Sequence, residues 1–277
     1  MRKLFISVDM EGVAGVASPV SLMPTGWEYA AYRRWMTAEL NAVAQAAFES
    51  GYDEVIAADG HGNGHNIDPD MLIDNIRLVR CWPRPLMQMQ LFEDPDVDAC
   101  AFVGYHSPAG TTDSILAHSF SGASIRSVRL NGEIASEGYV NAAVAGERGK
   151  PVIFVSGDDQ TLEDARRYAP DALLHATKQS FGFRSSVSLP PKQACQMLKD
   201  AAAQAFQQSP GQPFILKAPF NVELEMTTQV AAEVLNFLPW IERTDAYTVT
   251  AEFSSLAQVA GFIGFAIMYA PNGQPPF

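Results

Sequence analysis

The chain has 277 residues, 47% hydrophobic and 18% charged, with 19 Lys and Arg against 31 Asp and Glu for a formal net charge of -12. So much apolar material builds a real core, which excludes a disordered chain. The acidic balance excludes nucleic acid and anionic membrane as electrostatic partners and suits cations. Three cysteines, Cys81, Cys100 and Cys195, lie far apart without a CxxC spacing. They build neither a disulfide framework nor a thiolate zinc site, and a reducing compartment is the simpler expectation.

Residues 4–8 are a short apolar run that ends on Asp9 and Glu11, too early for a signal-peptide core. Such a run is how a buried parallel strand reads when its carboxyl end opens on a site. Residues 27–50 predict a helix, with Met36, Leu40, Val43 and Ala47 on one face and Gly51 as the stop. Residues 54–58 are a second strand, followed by the loop Asp59-Gly60-His61-Gly62-Asn63-Gly64-His65. Residues 76–79 and 99–103 are further strands, the latter running into Gly104-Tyr105-His106. Residues 124–130 and 133–135 flank Asn131-Gly132 and predict a two-residue hairpin. A helix over 138–148, a strand over 151–155, and a helix from Asp159 through Arg167 follow.

The last third predicts a helix over 192–207, strands over 214–217, 221–225 and 246–253, and a buried helix over 254–269. The longest apolar stretch, residues 259–270, is too short to span a bilayer. The protein is expected to be soluble and cytoplasmic. The expected fold is α/β, with a central mixed, mostly parallel sheet flanked by helices and a smaller α+β annex around 190–277.

Rare polar side chains fall where strands end. Asp9 and Glu11 are two apart, so in extended chain both carboxylates face one way. His61 and His106 follow two other strands, and open α/β sheets place sites at the carboxyl ends of their strands. His118 and Glu137 flank the hairpin, and Glu137 precedes a helix. Histidines and carboxylates without a thiolate suit zinc, manganese or iron, and two histidines with three carboxylates suit a metal pair bridged by a carboxylate. Each residue also has a plainer reading. An Asp after a strand is often a turn former or cap. Capping explains Asp158 and Asp159, His65 reads as solvated or as a stray ligand or supporting donor, His175 as a core or sheet histidine, and Lys178 as a surface charge or else a fixed cation near the site. No GxSxG elbow or phosphate-loop spacing is present.

The opening Ser7-Val8-Asp9-Met10-Glu11-Gly12 resembles the S-x-D-x-E-G start of the zinc D-aminopeptidases of peptidase family M55, the DppA type. Asp59-Gly60-His61, Gly104-Tyr105-His106, Ala117-His118-Ser119, and residues 131–138 with Glu137 resemble the family in the same order, as do Asn141-Ala142 and residues 155–159. The family pattern has Asp-Ser-His where this chain has Asp59-Gly60-His61, which removes a hydroxyl beside the ligand. The resemblance implies that Asp9, Glu11, His61, His106 and Glu137 hold two zinc ions, with Asp9 as the bridge and His118 as the catalytic residue. It implies one catalytic chain over 1–277, short peptide substrates with an N-terminal D-amino acid, and a ring-like homodecamer. Manganese in place of zinc, another amide or ester hydrolase on this scaffold, and a non-catalytic peptide-binding protein are the alternatives.

Overall fold

The structure, a computed structural model, describes residues 1–269. In chain order the elements are β1 (Lys3–Val8), α1 (Tyr29–Glu49), β2 (Glu54–Asp59), β3 (Ile76–Val79), β4 (Val97–Tyr105), β5 (Ile125–Leu130), β6 (Glu133–Ile134), α2 (Glu137–Glu147), β7 (Val152–Asp158) and α3 (Asp159–Ala165). They continue with β8 (Leu173–Gly182), β9 (Ser185–Ser188), α4 (Pro191–Gln207), β10 (Phe220–Met226), α5 (Gln229–Leu235), β11 (Glu242–Arg243), β12 (Thr248–Phe253) and α6 (Leu256–Tyr269). Two short 3₁₀ turns, Pro69–Met71 and Met87–Met89, complete the set.

The central sheet has seven strands in the order β3-β2-β1-β4-β7-β8-β9. All neighbours are parallel except the last pair, β8 with β9. This is the mixed, mostly parallel sheet the apolar runs imply. A second sheet of five strands, β11-β12-β10-β5-β6, is antiparallel throughout. Its strands come from the middle of the chain as well as its end, while α4 packs against α1 on the central sheet.

Alternation along β1 divides the core. Leu4, Ile6 and Val8 point toward Met36, Leu40 and Val43 of α1 and Leu198 and Ala202 of α4. Phe5 points to the opposite face, with Val140 and Ala143 of α2 and Phe262 and Ile263 of α6. The hairpin turn is as predicted: Asn131 and Gly132 both take positive φ, 53° and 84°, as a two-residue turn between twisted strands requires.

Residues 214–217 are not a strand. Phe214 instead packs its ring edge-on against Tyr139, with centroids 4.9 Å apart. The apolar run serves side-chain packing rather than ladder pairing. Among the described residues no helix is long and apolar enough to cross a membrane.

Candidate metal centre

The parallel register sets Val8 opposite both Asp59 and Val103. The chain therefore leaves β1, β2 and β4 side by side at one edge of the sheet. Backbone bonds tie these exits together, from Asp9 N to Val103 O at 2.8 Å, Gly60 N to Val8 O at 2.8 Å, and Gly12 N to Gly104 O at 2.8 Å. A Cβ at Gly12 would lie 2.0 Å from the carbonyl oxygen of Tyr105, so only glycine lets the turn after β1 press onto the end of β4.

Asp9, Glu11 and His61 meet in one buried group whose ligand atoms lie within 4.8 Å of one another. His61 Nδ1 is 3.0 Å from Glu11 Oε2 and 3.4 Å from Asp9 Oδ1. Its Nε2 lies 3.2 Å from the carbonyl oxygen of Leu22. Donation from Nε2 to that carbonyl leaves Nδ1 with its lone pair toward the carboxylates, the arrangement a ligating histidine needs. The His61 loop is shaped by Asp59, whose carboxylate accepts from Asn66 N at 2.6 Å and Ile67 N at 2.8 Å.

His106, His118 and Glu137 form a second group with the same ligand spacing. His106 Nε2 is 3.1 Å from Glu137 Oε1 and 3.6 Å from Asp9 Oδ2. Asp9 thus turns one carboxylate oxygen to each group. Glu137 is the first residue of α2, behind Ser136, which caps the helix by accepting from Tyr139 N. Phe120 N donates to Glu137 Oε1 at 2.7 Å, and Gln88 Nε2 donates to its Oε2. Asn141 holds Gln88 in turn, donating to its Oε1 at 2.7 Å and to Tyr105 Oη at 2.9 Å, and Tyr105 donates to Ser7 Oγ. The His118 ring stacks on His106 at 4.1 Å, and its Nδ1 donates to Leu116 O at 2.9 Å. That leaves Nε2, 3.7 Å from Glu137 Oε1, as the free nitrogen.

The electrostatics are those of a site built for cations. Burial and the charge of Glu11 raise the Asp9 pKa to about 7. Burial also opposes ionisation of Glu11, yet His61 holds it well below the usual carboxylate range. Burial opposes the charged form of His106, but Glu137 and Asp9 raise it to about 10. Burial and the neighbouring His106 lower His118.

The residues fit a metal. His106 Nε2 is buried with no hydrogen-bond partner although carboxylate oxygens surround it. A buried polar atom left in this way is rare unless another ligand takes its lone pair. The donors are imidazole nitrogens and carboxylate oxygens with no thiolate among them, which suits zinc or manganese.

Lys178 is buried, so of its two readings the surface charge gives way to the fixed cation near the site. It lies on β8 beside the turn after β1, and its ammonium donates to the carbonyl oxygens of Glu11 at 2.5 Å, Val13 at 2.8 Å and Val16 at 2.7 Å. Those carbonyls satisfy the charge, so burial costs less than an isolated ammonium would. Burial still pulls its pKa down to about 8, against the pull of Asp158, Glu39 and Glu11. Glu39 accepts from Ala14 N at 2.8 Å, and burial raises its pKa to about 7. It sits three residues after Met36 on the apolar face of α1, a signal readable in the sequence. Asp158 caps α3 as expected, accepting from Thr161 N at 2.7 Å. It also accepts from Ser114 Oγ and Ile115 N, and so anchors the loop that carries His118. His65 is exposed, with Nε2 3.1 Å from Cys81 Sγ, and His175 is half-buried in β8; neither joins a ligand group.

A parallel sheet that gathers three histidines and three carboxylates near its carboxyl edge defines an α/β protein with a candidate metal centre. The chain belongs to peptidase family M55, the D-aminopeptidases, whose model matches residues 1–265. It is therefore a peptidase, a hydrolase of D-aminopeptidase type. It is 28% identical to a D-aminopeptidase of Bacillus subtilis (strain 168) over 267 residues, covering 96% of each chain. Its fold matches the solved structure of the Zn-dependent D-aminopeptidase DppA from Bacillus subtilis, a self-compartmentalizing protease, with a TM-score of 0.92, 26% identity and 99% of each chain covered.

Proposed function

We propose that this chain removes N-terminal D-amino acids from short peptides with the help of two zinc ions. Asp9, Glu11 and His61 would hold one ion, and Asp9, His106 and Glu137 the other. The observation that carries this reading is the Asp9 carboxylate, with Oδ1 3.4 Å from His61 Nδ1 and Oδ2 3.6 Å from His106 Nε2. Bound zinc supplies Lewis acidity, polarising a scissile carbonyl and acidifying water.

The protein's own groups handle the protons. His118 keeps its Nδ1 proton on Leu116 O, so Nε2 faces the site as a base. Burial beside His106 keeps the ring neutral near pH 7, the state a general base needs. His118 takes a proton from the attacking water and returns it to the leaving amine. Gln88 and Phe120 N hold the Glu137 carboxylate in place while this happens. The carboxylates around Asp9 also favour the α-ammonium group of an incoming peptide.

We read the working form as a homo-oligomer, a ring of ten chains. The exposed Trp27, Phe181, Phe183 and Phe237 support contact surfaces, and the related DppA is self-compartmentalizing. Light scattering on the purified protein checks the number of chains.

The direct test is hydrolysis of D-Ala and L-Ala p-nitroanilides by protein purified without chelator, with metal measured on the same sample. D-selective turnover that a chelator removes and zinc restores is the expected result. Bound metal with no turnover of these compounds or of D-Leu p-nitroanilide would contradict the aminopeptidase reading and favour another amide or ester hydrolase.

A further inference from the structure

Beside Glu137 lies a cavity of about 410 Å³. Gln88 and Glu137 are among its lining residues, and both belong to the hydrogen-bond network of the candidate metal centre. The remaining wall is apolar, made chiefly by Trp82, Met87, Phe120, Ile267 and Met268. The cavity falls in the size range of small-ligand pockets and is far larger than a methyl group needs. We propose that it seats the side chain of the substrate's N-terminal residue and selects a large apolar one, of the Leu, Met or Phe class. This rests on the aminopeptidase reading above and adds the side-chain preference to it.

Three features carry the choice. First, the cavity adjoins Glu137, so a peptide whose first carbonyl lies at the ligand groups has its first side chain next to this opening. Second, its one carboxylate already accepts from Phe120 N and Gln88 and faces His106. A cationic side chain would be desolvated there without a free partner, whereas an apolar one gains burial. Third, the wall can adapt. Met87 is a flexible thioether, and a Cβ at Gly264 would meet its Sδ at 2.8 Å. Glycine at 264 lets Met87 lie against α6, and the rotatable bonds of the thioether let it repack around a branched or aromatic group.

The test compares kcat/KM for D-Leu, D-Met, D-Ala and D-Lys p-nitroanilides on the zinc-loaded protein. D-Leu or D-Met should exceed D-Ala by at least about tenfold, since each added methylene in an apolar pocket discriminates by about 10-fold or more. D-Lys should fall below both. Gly264→Leu, which fills the cavity, should pull the D-Leu to D-Ala ratio down toward one. Met268→Glu, at the half-exposed end of the wall, should do the same by placing a charge there, and it serves if Gly264→Leu fails to fold. A wild-type ratio at or below one, or a ratio unchanged in the folded variants, overturns the proposal while leaving the aminopeptidase reading intact. A readout without turnover uses Trp82 itself: free D-leucine, but not D-alanine, should shift tryptophan emission, and Trp82→Phe should abolish the shift. If no D-anilide is hydrolysed, the aminopeptidase reading fails instead. The fluorescence titration then decides the pocket alone, and absence of a D-leucine shift overturns it.

Discussion

Asp9, Glu11 and His61 leave the ends of two adjacent parallel strands, whereas Glu137 starts a helix and His118 hangs from a loop. That loop carries left-handed backbone at Asp113, Leu116 and Phe120, with φ of 53°, 54° and 60°. Left-handed non-glycine residues cost energy and persist where surrounding contacts hold them. Two of the three serve the site directly, since Leu116 O fixes the His118 ring and Phe120 N fixes Glu137. The first group is clamped from behind by Lys178 and Glu39 and is wholly buried. The second keeps a buried nitrogen without a partner and a histidine whose side chain is 25% exposed. In the function proposed above, metal holding falls to the strand ends and Glu137, and proton chemistry to the His118 loop.

The largest effect is expected where the groups share a residue. Asp9→Asn removes the charge that faces both and should lower bound metal and bring hydrolysis below detection, measured on one sample. His118→Ala sharpens the division of labour. It should keep its metal but lose about 10²- to 10⁴-fold in kcat, the range a general base contributes. If metal is lost with it, His118 is a ligand and the comparison between the groups collapses.

Lys178→Met tests the clamp. Three buried carbonyls lose their donor, and stability should fall by about 3 kcal/mol or more in urea unfolding. Metal affinity should fall more than in a surface lysine variant. The equivalent support on the other side is Gln88, and Gln88→Leu should weaken metal binding about 10- to 100-fold by freeing Glu137.

The smallest effect concerns pH and the anchor of the His118 loop. Burial opposes ionisation of Asp158, but donors from Thr161, Ile115 and Ser114 hold its pKa below the ordinary 3.8. The unfolded chain therefore binds the proton more readily. The stabilisation is complete above about pH 3.8 and is lost as pH falls through the folded value. Asp158→Asn should show a flatter decline of unfolding free energy in that acid range than the wild type. An identical slope would mean that Asp158 does not carry the anchor.

Much of this was legible in the chain. Short apolar runs that stop at Asp9, His61 and His106 mark parallel strands opening on one edge, and side chains at strand ends converge by topology alone. Asn131-Gly132 encodes its turn because few residues accept positive φ at both positions. The supports were not legible. Lys178 sits in a strand where an alternating pattern cannot distinguish a lysine facing solvent from one facing buried carbonyls; the partners come from a turn more than 160 residues away. Gln88 lies in a 3₁₀ turn with no periodicity to read. Residues 214–217 misled for a related reason, since an apolar run gives the same signal whether it pairs in a sheet or packs a ring such as Phe214 on Tyr139. The sequence position of Asp158 encodes the cap, but its bonds to Ser114 and Ile115 depend on tertiary placement.

The most direct test of the two-group account is the number of metal ions per chain in the wild type, Glu11→Gln and Glu137→Gln, measured on folded protein loaded with zinc and freed of excess. The account predicts two ions in the wild type and one in each variant, with the remaining ion in the group left intact. One ion in the wild type, or loss of all metal in either variant, would contradict it.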